Sequence, residues 1–321
     1  MKLQKCPICN DEKVEELIDW NSFKIHRCLK CKLLFATPLP SEEQLMQFYQ
    51  GFLFKQPDIA AIQKEIQARK KEIKGLFGLD SIDGQSFLDY GGGTGVVFKA
   101  ITELGLVPYY YDIDEKAIEF TKSNFGLRSD QMVLNIKTCE KRFNYIFSDN
   151  VIEHILDPYD FIDALYQKLE KGGKLILKTP NASNTETYFN FLIVFQSYFI
   201  RAIPSNGILK STRVLFKRSW HCDPPRHIYS FTKESFDCLM EKMGIPKSNY
   251  EIDYYSTPWF SNTITKQFFS KDKHNNVLKS IILRIITVPV VILEVVLQTL
   301  KWLFINLNLV SKSGLVLKID K

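Results

Sequence analysis

Short apolar runs alternate with longer amphipathic stretches between residues 86 and 178. The apolar runs predict strands, and the stretches between them predict helices that begin near Gly95, Glu115 and Pro158. The four predicted strands are Ser86–Tyr90, Val107–Tyr111, Asn144–Ser148 and Lys174–Lys178. Two later runs, Tyr250–Tyr255 and Leu315–Ile319, predict a final antiparallel pair. This alternation is typical of a parallel sheet that helices cover on both faces.

The pattern therefore predicts an α/β fold with a Rossmann-like, doubly wound sheet of seven strands. The region from Val133 to Lys141, around the expected third strand, is short and ambiguous. Residues 81–321 are expected to form this domain. Residues 41–80 would form a helical connector, because Ser41 followed by Glu42 and Glu43 is a typical helix start. Residues 1–40 would form a separate small unit.

Two further segments are unusually apolar. Tyr188–Ile200 carries no charge, and residues 277–310 are strongly apolar. Arg284, Glu294 and Lys301 interrupt the second segment, so it lacks the roughly 18 uninterrupted apolar residues of a membrane span. Its polar positions follow spacings of three, four or seven residues and fall on one narrow stripe of a helix. We predict an apolar helical insertion over about 277–310, between the last two strands.

Two Cys-x-x-Cys pairs stand near the N-terminus, first Cys6 with Cys9 and then Cys28 with Cys31. Pairs with this spacing supply four thiolates in a tetrahedron around one zinc ion. Metal binding stabilises a unit that is too small to have a core of its own. The sequence therefore predicts a zinc ribbon over residues 1–40, in which Zn²⁺ has a structural role because no coordination position stays open.

Composition and charge restrict the possible partners. The chain opens on a polar sequence without a secretory signal, so we expect it in the cytoplasm, where thiols stay reduced. Its net charge is +6, and residues 261–321 account for all of it, with nine basic and three acidic side chains. The first fifty residues carry seven basic and seven acidic side chains. A ribbon that binds nucleic acid is usually basic, so no nucleic-acid partner is expected.

The segment FLDYGGGTG (residues 87–95) runs from an apolar strand into a glycine-rich turn and then a helix. Glycine lets the backbone turn sharply and approach a ligand without a Cβ clash. Twenty-one residues after Gly91, the next strand ends in Asp112, an acid that can accept both ribose hydroxyls. The dinucleotide pattern G-x-G-x-x-G is not met, because Val96 stands at its last position. This disfavours a nicotinamide oxidoreductase.

In chain order, DYGGGTG, YYDID, YIFSDNVIEHILDP and LEKGGKLILKTPN resemble successive motifs of class I S-adenosylmethionine-dependent methyltransferases. The resemblance covers roughly Ser86 to Asn181, and it extends to the cysteine ribbon and to a W…DPPRH…F segment, here Trp220 to Phe231. It implies that Asp112 holds the ribose of the cofactor. The other residues that it places around S-adenosylmethionine are Asp89, Tyr90, Gly91, Gly93, Asn150 and Val151. The family commonly has Cys where this chain has Gly92, which counts as a mild departure.

Glu153 and His154 directly follow the fourth strand, at the sheet edge where open α/β folds bind ligands. A histidine with an ordinary pKa of about 6.5 could take a proton from a hydroxyl acceptor. The alternative, that the pair only starts a helix and shapes the pocket, stays equally open. His227 is the second candidate base, and Arg226 could bind a carboxylate or phosphate of the substrate with both guanidinium arms.

The sequence thus predicts methyl transfer to a small-molecule or lipid-linked acceptor of the sugar, quinone or secondary-metabolite type. An RNA methyltransferase and a non-catalytic scaffold that retains the fold stay open as alternatives. The apolar, basic C-terminal region also predicts peripheral contact with the inner face of a membrane. Packing of its helix on the sheet or in a homodimer is the competing explanation.

Overall fold

A computed structural model of the chain describes residues 5–49, 59–78, 84–190, 194–217, 221–256, 292–293 and 295–321. These residues form a small antiparallel sheet and a larger central sheet. The small sheet contains β1 (Val14–Trp20), β2 (Phe23–Cys28), β3 (Leu34–Thr37) and β8 (Tyr229–Ser230). The central sheet contains β4 (Ser86–Tyr90), β5 (Val107–Tyr111), β6 (Phe143–Asp149), β7 (Leu169–Pro180), β9 (Tyr250–Tyr255) and β10 (Gly314–Asp320).

The central sheet has the strand order β5–β4–β6–β7–β10–β9. Its first four strands are parallel neighbours, and β10 runs antiparallel between β7 and β9. The carboxyl ends of β4, β5 and β6 therefore meet at one edge. Functional side chains that follow these strands are brought together there.

Side chains cap the starts of several of the helices. The helices are α1 (Glu42–Tyr49), α2 (Ile59–Phe77), α3 (Val96–Glu103), α4 (Glu115–Phe125), α5 (Pro158–Gln167), α6 (Arg201–Ser211), α7 (Arg213–Phe216), α8 (Lys233–Lys242) and α9 (residues 295–306). The carboxylate of Asp114 accepts from the backbone N–H of Lys116, and Gly126 ends α4 in the left-handed conformation. The carboxylate of Asp157 accepts from the N–H of Asp160 at the start of α5. Such caps fix the helix starts beside the strand ends that precede them.

Helices cover both faces of the central sheet. In β4, Phe87 packs in the same cluster as residues of α2 and α3, whereas its neighbour Leu88 packs in the cluster that contains α5. The α/β, doubly wound architecture predicted from the sequence is confirmed, and the six predicted strands are present. Of these, Ser86–Tyr90, Val107–Tyr111 and Tyr250–Tyr255 have the predicted bounds.

A seventh strand is reduced to a single bridging pair among the described residues. Tyr110 pairs with Met132 in parallel at the outer edge of the sheet, beyond β5. The side chain of Asn135 then accepts from the N–H of Lys137, and its carbonyl accepts from the N–H of Cys139. These bonds turn the chain away from the edge, so pairing ends where the sequence pattern was ambiguous.

The antiparallel pair of β9 and β10 encloses the apolar segment as predicted. Within that segment residues 295–306 are helical, and residues 277–291 lie outside the described residues. Among the helices that the structure describes, none is long and apolar enough to cross a membrane.

Candidate active site

The glycine-rich turn after β4 is held to the end of β5 by Asp112. One carboxylate oxygen of Asp112 accepts from the N–H of Gly93 at 2.7 Å, and the other accepts from the N–H of Asp114 at 2.8 Å. Gly91 and Gly93 have φ of 80° and 53°, a backbone conformation that residues other than glycine rarely adopt. The acid predicted to bind a ribose therefore lies at the base of the glycine turn.

Val151 lies directly across this turn. A Cβ atom added to Gly91 would overlap the Val151 side chain, so glycine permits this close approach. The preceding Asn150 has φ of 57° and donates from its amide to Asp149 at 2.9 Å. Tyr90, on the other side, stacks on the ring of Tyr111 with centroids 4.3 Å apart. The structure thus brings together the residues that the resemblance assigns to the cofactor.

Asp89 is buried, and among the residues that the structure describes its Oδ2 atom has no hydrogen-bond partner. Burial, with a further contribution from the charge of Asp112, raises the pKa of Asp89 to about 8. A buried acceptor without a donor is costly unless a ligand supplies one. The amino group of S-adenosylmethionine can do so, and the turn leaves room for a ligand at Gly93, where an added Cβ would meet no atom of the described residues within 4 Å. These residues fit that cofactor.

A cavity of about 400 Å³ lies at the same edge, between α1 and the start of α4. Its lining includes Tyr49 from α1 and Asp114, Glu115 and Lys116 from the segment that follows Asp112. The helix α1 therefore forms a wall over the cofactor side of the sheet edge.

Tyr49 and His154 meet at the carbonyl oxygen of Arg226. The Tyr49 hydroxyl donates to this oxygen at 2.7 Å, and Nδ1 of His154 lies 2.7 Å from the same atom. The Tyr49 hydroxyl is also 2.8 Å from Nδ1 of His154. Because a carbonyl oxygen can only accept, we assign the proton of the neutral imidazole to Nδ1, which leaves a lone pair on Nε2. Burial, reinforced by the nearby His227, lowers the pKa of His154 to about 4.

His227 has a carboxylate behind it, unlike His154. Its Nδ1 atom lies 2.9 Å from Asp223 Oδ1, while Arg226 binds Asp223 Oδ2 through Nε at 3.0 Å and Nη2 at 2.8 Å. Burial alone would raise the pKa of Asp223, but the contacts with His227 and Arg226 outweigh it and hold that pKa below its usual range. The two imidazole rings are 4.8 Å apart. Arg226, predicted to bind substrate, is thus also paired inside the protein.

Glu153 completes this cluster on its buried side. Its Oε2 atom accepts from the Thr179 hydroxyl at 2.9 Å, and among the described residues its Oε1 atom has no hydrogen-bond partner. Burial raises the pKa of Glu153 to about 7, although the neighbouring His227 opposes this. One ligand atom each from Glu153, His154 and His227 lie within 4.8 Å of one another. Groups this close influence each other's charge and could together hold a metal ion.

The four predicted cysteine ligands converge at the N-terminal sheet. The sulfur atoms of Cys6 and Cys31 are 3.6 Å apart, and those of Cys9 and Cys28 are 3.5 Å apart. Tetrahedral zinc–sulfur bonds of about 2.3 Å place sulfur atoms roughly 3.8 Å apart, so the cluster fits Zn²⁺. The residue after each pair, Asn10 or Lys32, has positive φ and bonds back to the first cysteine of its pair.

The small sheet joins the cysteine cluster to the histidine cluster, which consists of Tyr49, Glu153, His154, Asp223, Arg226 and His227. Strand β3 pairs with β8, so that Leu34 lies opposite Ser230 and Phe35 opposite Tyr229. The hydroxyl of Thr232 donates to the carbonyl of Cys31 at 2.8 Å. These bonds fix the segment that begins with His227 against the cysteine-bearing strands.

Sequence reasoning missed two members of the histidine cluster. Asp223 belongs to the DPPRH motif, and its spacing of four residues from His227 was an available signal. Tyr49 had no such signal, because its partner His154 is 105 residues away in the chain. Only the folded chain brings the two together.

Comparison with known proteins gives the family of the chain. Residues 60–245, more than half of the chain, match the methyltransferase domain family. The chain belongs to that family. The class I S-adenosylmethionine-dependent methyltransferase resemblance is thereby confirmed at the level of family and fold.

The chain spans about half the length of the curated relatives that it matches. It is 28% identical over 134 residues to the ubiquinone biosynthesis O-methyltransferase of Coxiella burnetii. The aligned region covers 39% of this chain and 55% of the relative. The mitochondrial ubiquinone biosynthesis O-methyltransferase of Schizosaccharomyces pombe is 26% identical over 129 residues, covering 38% and 46%.

Solved structures show a similar but distant relationship. Phosphoethanolamine N-methyltransferase 2 of Haemonchus contortus, with bound S-adenosyl-L-methionine, is 16% identical with a TM-score of 0.49, covering 90% of this chain and 61% of that one. A SAM-dependent methyltransferase of Archaeoglobus fulgidus is 16% identical with a TM-score of 0.46, covering 81% and 94%.

Proposed function

We propose that this protein transfers a methyl group from S-adenosylmethionine to a small-molecule acceptor. The observation that carries the proposal is that Tyr49, Asp223 and Arg226, each of which contacts His154 or His227, line two cavities. Tyr49 of α1 lines the cavity on the cofactor side, while its neighbour Phe48 lines a second cavity of about 690 Å³. Tyr49 contacts His154, and both Asp223 and Arg226 line the second cavity. A cofactor and an acceptor could thus approach the histidines from opposite sides.

The residues that would hold the cofactor are those of the glycine turn, together with Asp112 for the ribose and Val151 beside the methyl group. Bound S-adenosylmethionine supplies a methyl group on a sulfonium that is reactive toward nucleophiles. The protein then has to align the acceptor and, for a hydroxyl, remove its proton.

Of the two candidate bases, His227 is the better placed. A carboxylate behind an imidazole stabilises the imidazolium that forms on proton uptake, and Asp223 is 2.9 Å from His227. Among the described residues His154 has no such carboxylate partner, and burial keeps it neutral, so it would orient the acceptor by accepting a hydrogen bond at Nε2. Glu153, in the same cluster, would act on the imidazolium of His227 through its charge.

An acceptor of quinone type, with a lipid tail, has the most support among the predicted classes. The relatives that match are named for ubiquinone biosynthesis, although they share only part of their length with this chain. RNA is the less favoured acceptor because the ribbon has no excess of basic residues. The four cysteines, in this proposal, hold one structural zinc ion.

A peripheral membrane site would suit a lipid-tailed acceptor, and α9 supports this part of the proposal. Its polar residues Gln298 and Lys301 are buried, whereas Trp302, Leu303 and the nearby Leu307 are 57%, 41% and 57% exposed. The basic residues that follow the Tyr188–Ile200 segment add little support, because acidic side chains of β1 pair with two of them. Lys210, for example, lies 2.6 Å from a carboxylate oxygen of Asp19 in β1.

Calorimetry with S-adenosylmethionine and S-adenosylhomocysteine tests the cofactor assignment. We expect micromolar binding that Asp112→Ala weakens by tenfold or more, since hydrogen bonds to a charged group contribute about 1.5–3 kcal/mol each. Asp130→Ala removes an exposed acid and serves as the matched control. Absence of binding, or equal binding by both variants, would overturn the assignment.

Turnover tests the acid–base assignment. With a hydroxylated aromatic acceptor that carries a short alkyl tail, His227→Ala should lower kcat by about 10²–10⁴ and leave cofactor affinity unchanged. His154→Ala should act mainly on the KM of the acceptor. Methyl transfer to total RNA, but not to any small acceptor, would favour the RNA methyltransferase. No methyl transfer at all would favour a scaffold.

A further inference from the structure

The 690 Å³ cavity beside the histidines is built by four separate chain segments. Trp20 is the last residue of β1, and Phe48 belongs to α1. Tyr198 lies just before α6, Arg201 begins that helix, and Arg226 belongs to the turn beside His227. A volume of this size suits a ligand of several rings or a ring with a tail. The ribbon is therefore one wall of the cavity.

The charge of the lining is unbalanced. Among the described residues that line the cavity, Asp223 is the one acid, and Arg226 and His227 already contact both of its carboxylate oxygens. Arg201 also lines the cavity, and within the described part of the chain no carboxylate pairs with it. Among the described residues, the Arg201 guanidinium thus lacks an acidic partner, and three aromatic side chains, Trp20, Phe48 and Tyr198, share the lining with it.

We infer that this cavity binds an acceptor that carries a phosphate or carboxylate, with Arg201 binding the anionic group. The guanidinium fork matches either anion with two parallel hydrogen bonds. Trp20, Phe48 and Tyr198 provide apolar faces for the ring or the tail of the acceptor. Asp223 holds Arg226 in place. Arg226 in turn keeps the anion-binding side of the cavity next to His227. This inference rests on the proposed methyl transfer and adds the class of acceptor.

The test uses zinc-loaded protein saturated with S-adenosylhomocysteine. Phenyl phosphate and benzoate are titrated by calorimetry, with phenol and benzamide as neutral counterparts. We expect an anion to bind at least tenfold more tightly than its neutral counterpart. Binding of phenyl phosphate alone assigns a phosphate-bearing acceptor, and binding of benzoate alone assigns a carboxylate.

Variants then locate the anion. Arg201→Gln should weaken anion binding about tenfold and leave phenol binding unchanged, while Arg201→Lys should retain part of the affinity. Arg128→Gln removes the same charge from an exposed residue outside the cavity and should change nothing. The inference is overturned if anion binding is undetectable or no tighter than binding of the neutral probes. It is also overturned if Arg201→Gln binds the anions as tightly as the wild type. Loss of S-adenosylhomocysteine binding would instead refute the proposed function.

Discussion

Gly92 shows how one residue of the cofactor turn depends on its surroundings. The sequence marked glycine here as a mild departure from the cysteine that the family commonly has. In the fold, an added Cβ would overlap the ring of Tyr110 and lie 2.5 Å from Asp89 Oδ2. Tyr110 is buried, and its hydroxyl donates to the carbonyl of Gly93 at 2.6 Å. A large aromatic residue therefore occupies the space that a side chain at position 92 would need.

Gly92→Ala should consequently lower stability and cofactor affinity together, by about 1–3 kcal/mol in stability as for other overpacked sites. The cause is tested by a double-mutant cycle, because in a Tyr110→Leu background the same substitution should cost less. The measurements are thermal unfolding and calorimetry with S-adenosylhomocysteine. An equal cost in both backgrounds would mean that Tyr110 is not the obstacle.

Glu153 predicts a pH dependence of stability. Its pKa in the folded protein, about 7, lies above its ordinary value of 4.5, so folding favours the protonated carboxyl. That contribution is fully present below pH 4.5 and is lost as pH rises through about 7. Glu153→Gln keeps a neutral group of similar shape and does not titrate. The melting temperature of this variant should therefore rise relative to that of the wild type between pH 5 and pH 8. A difference that stays constant over this range would contradict the raised pKa.

At the scale of elements, the sequence predicts best where structure is local. The β4, β5 and β9 strands are short apolar runs bounded by turn residues, and their bounds are as predicted. The pairing of β3 with β8 could not be predicted, because nearly two hundred residues separate the two strands. Only two residues of each strand pair, which is too few to give an alternating pattern in the sequence. The contact of Tyr49 with His154 is hidden for the same reason. Long-range contacts of this kind depend on packing and on no local preference.

The same pairing predicts what loss of zinc would do. Cys28→Ser should release the metal and loosen the small sheet, and β8 with the adjacent His227 should lose its support. We expect kcat to fall at least tenfold, while the affinity for S-adenosylhomocysteine changes little, because β4, β5 and their turn lie in the other sheet. Cys139→Ser, outside the cluster, is the control. Elemental analysis should find one zinc ion per chain in the wild type, and its absence would refute the ribbon assignment.

At the scale of the whole molecule, α9 packs polar side chains against the protein and exposes apolar ones, the reverse of an ordinary surface helix. Lys301 lies 3.0 Å from Glu186, with both side chains at 4% exposure or less, and Gln298 donates to Asn190 at 2.9 Å. The Phe304 ring contacts Phe189 on the same side. The two described members of the polar stripe, Gln298 and Lys301, thus lie on the side that packs on the protein. The apolar residues of α9 face outward, and an exposed apolar face of this kind marks a contact with protein or lipid.

A lipid surface is the occupant that we predict for this face, since the region around it also carries the entire net charge of the chain. The full chain should float with vesicles that contain anionic lipid, and less so at high salt. Replacing Trp302 and Leu307 with Asn should abolish flotation, because both side chains are 57% exposed on this face. Leu134→Asn removes an apolar side chain that is 83% exposed beside the central sheet and should leave flotation unchanged. If the full chain stays unbound at low salt and sediments as a dimer that the Trp302 and Leu307 substitutions dissociate, the face belongs to a homodimer and the membrane prediction is wrong.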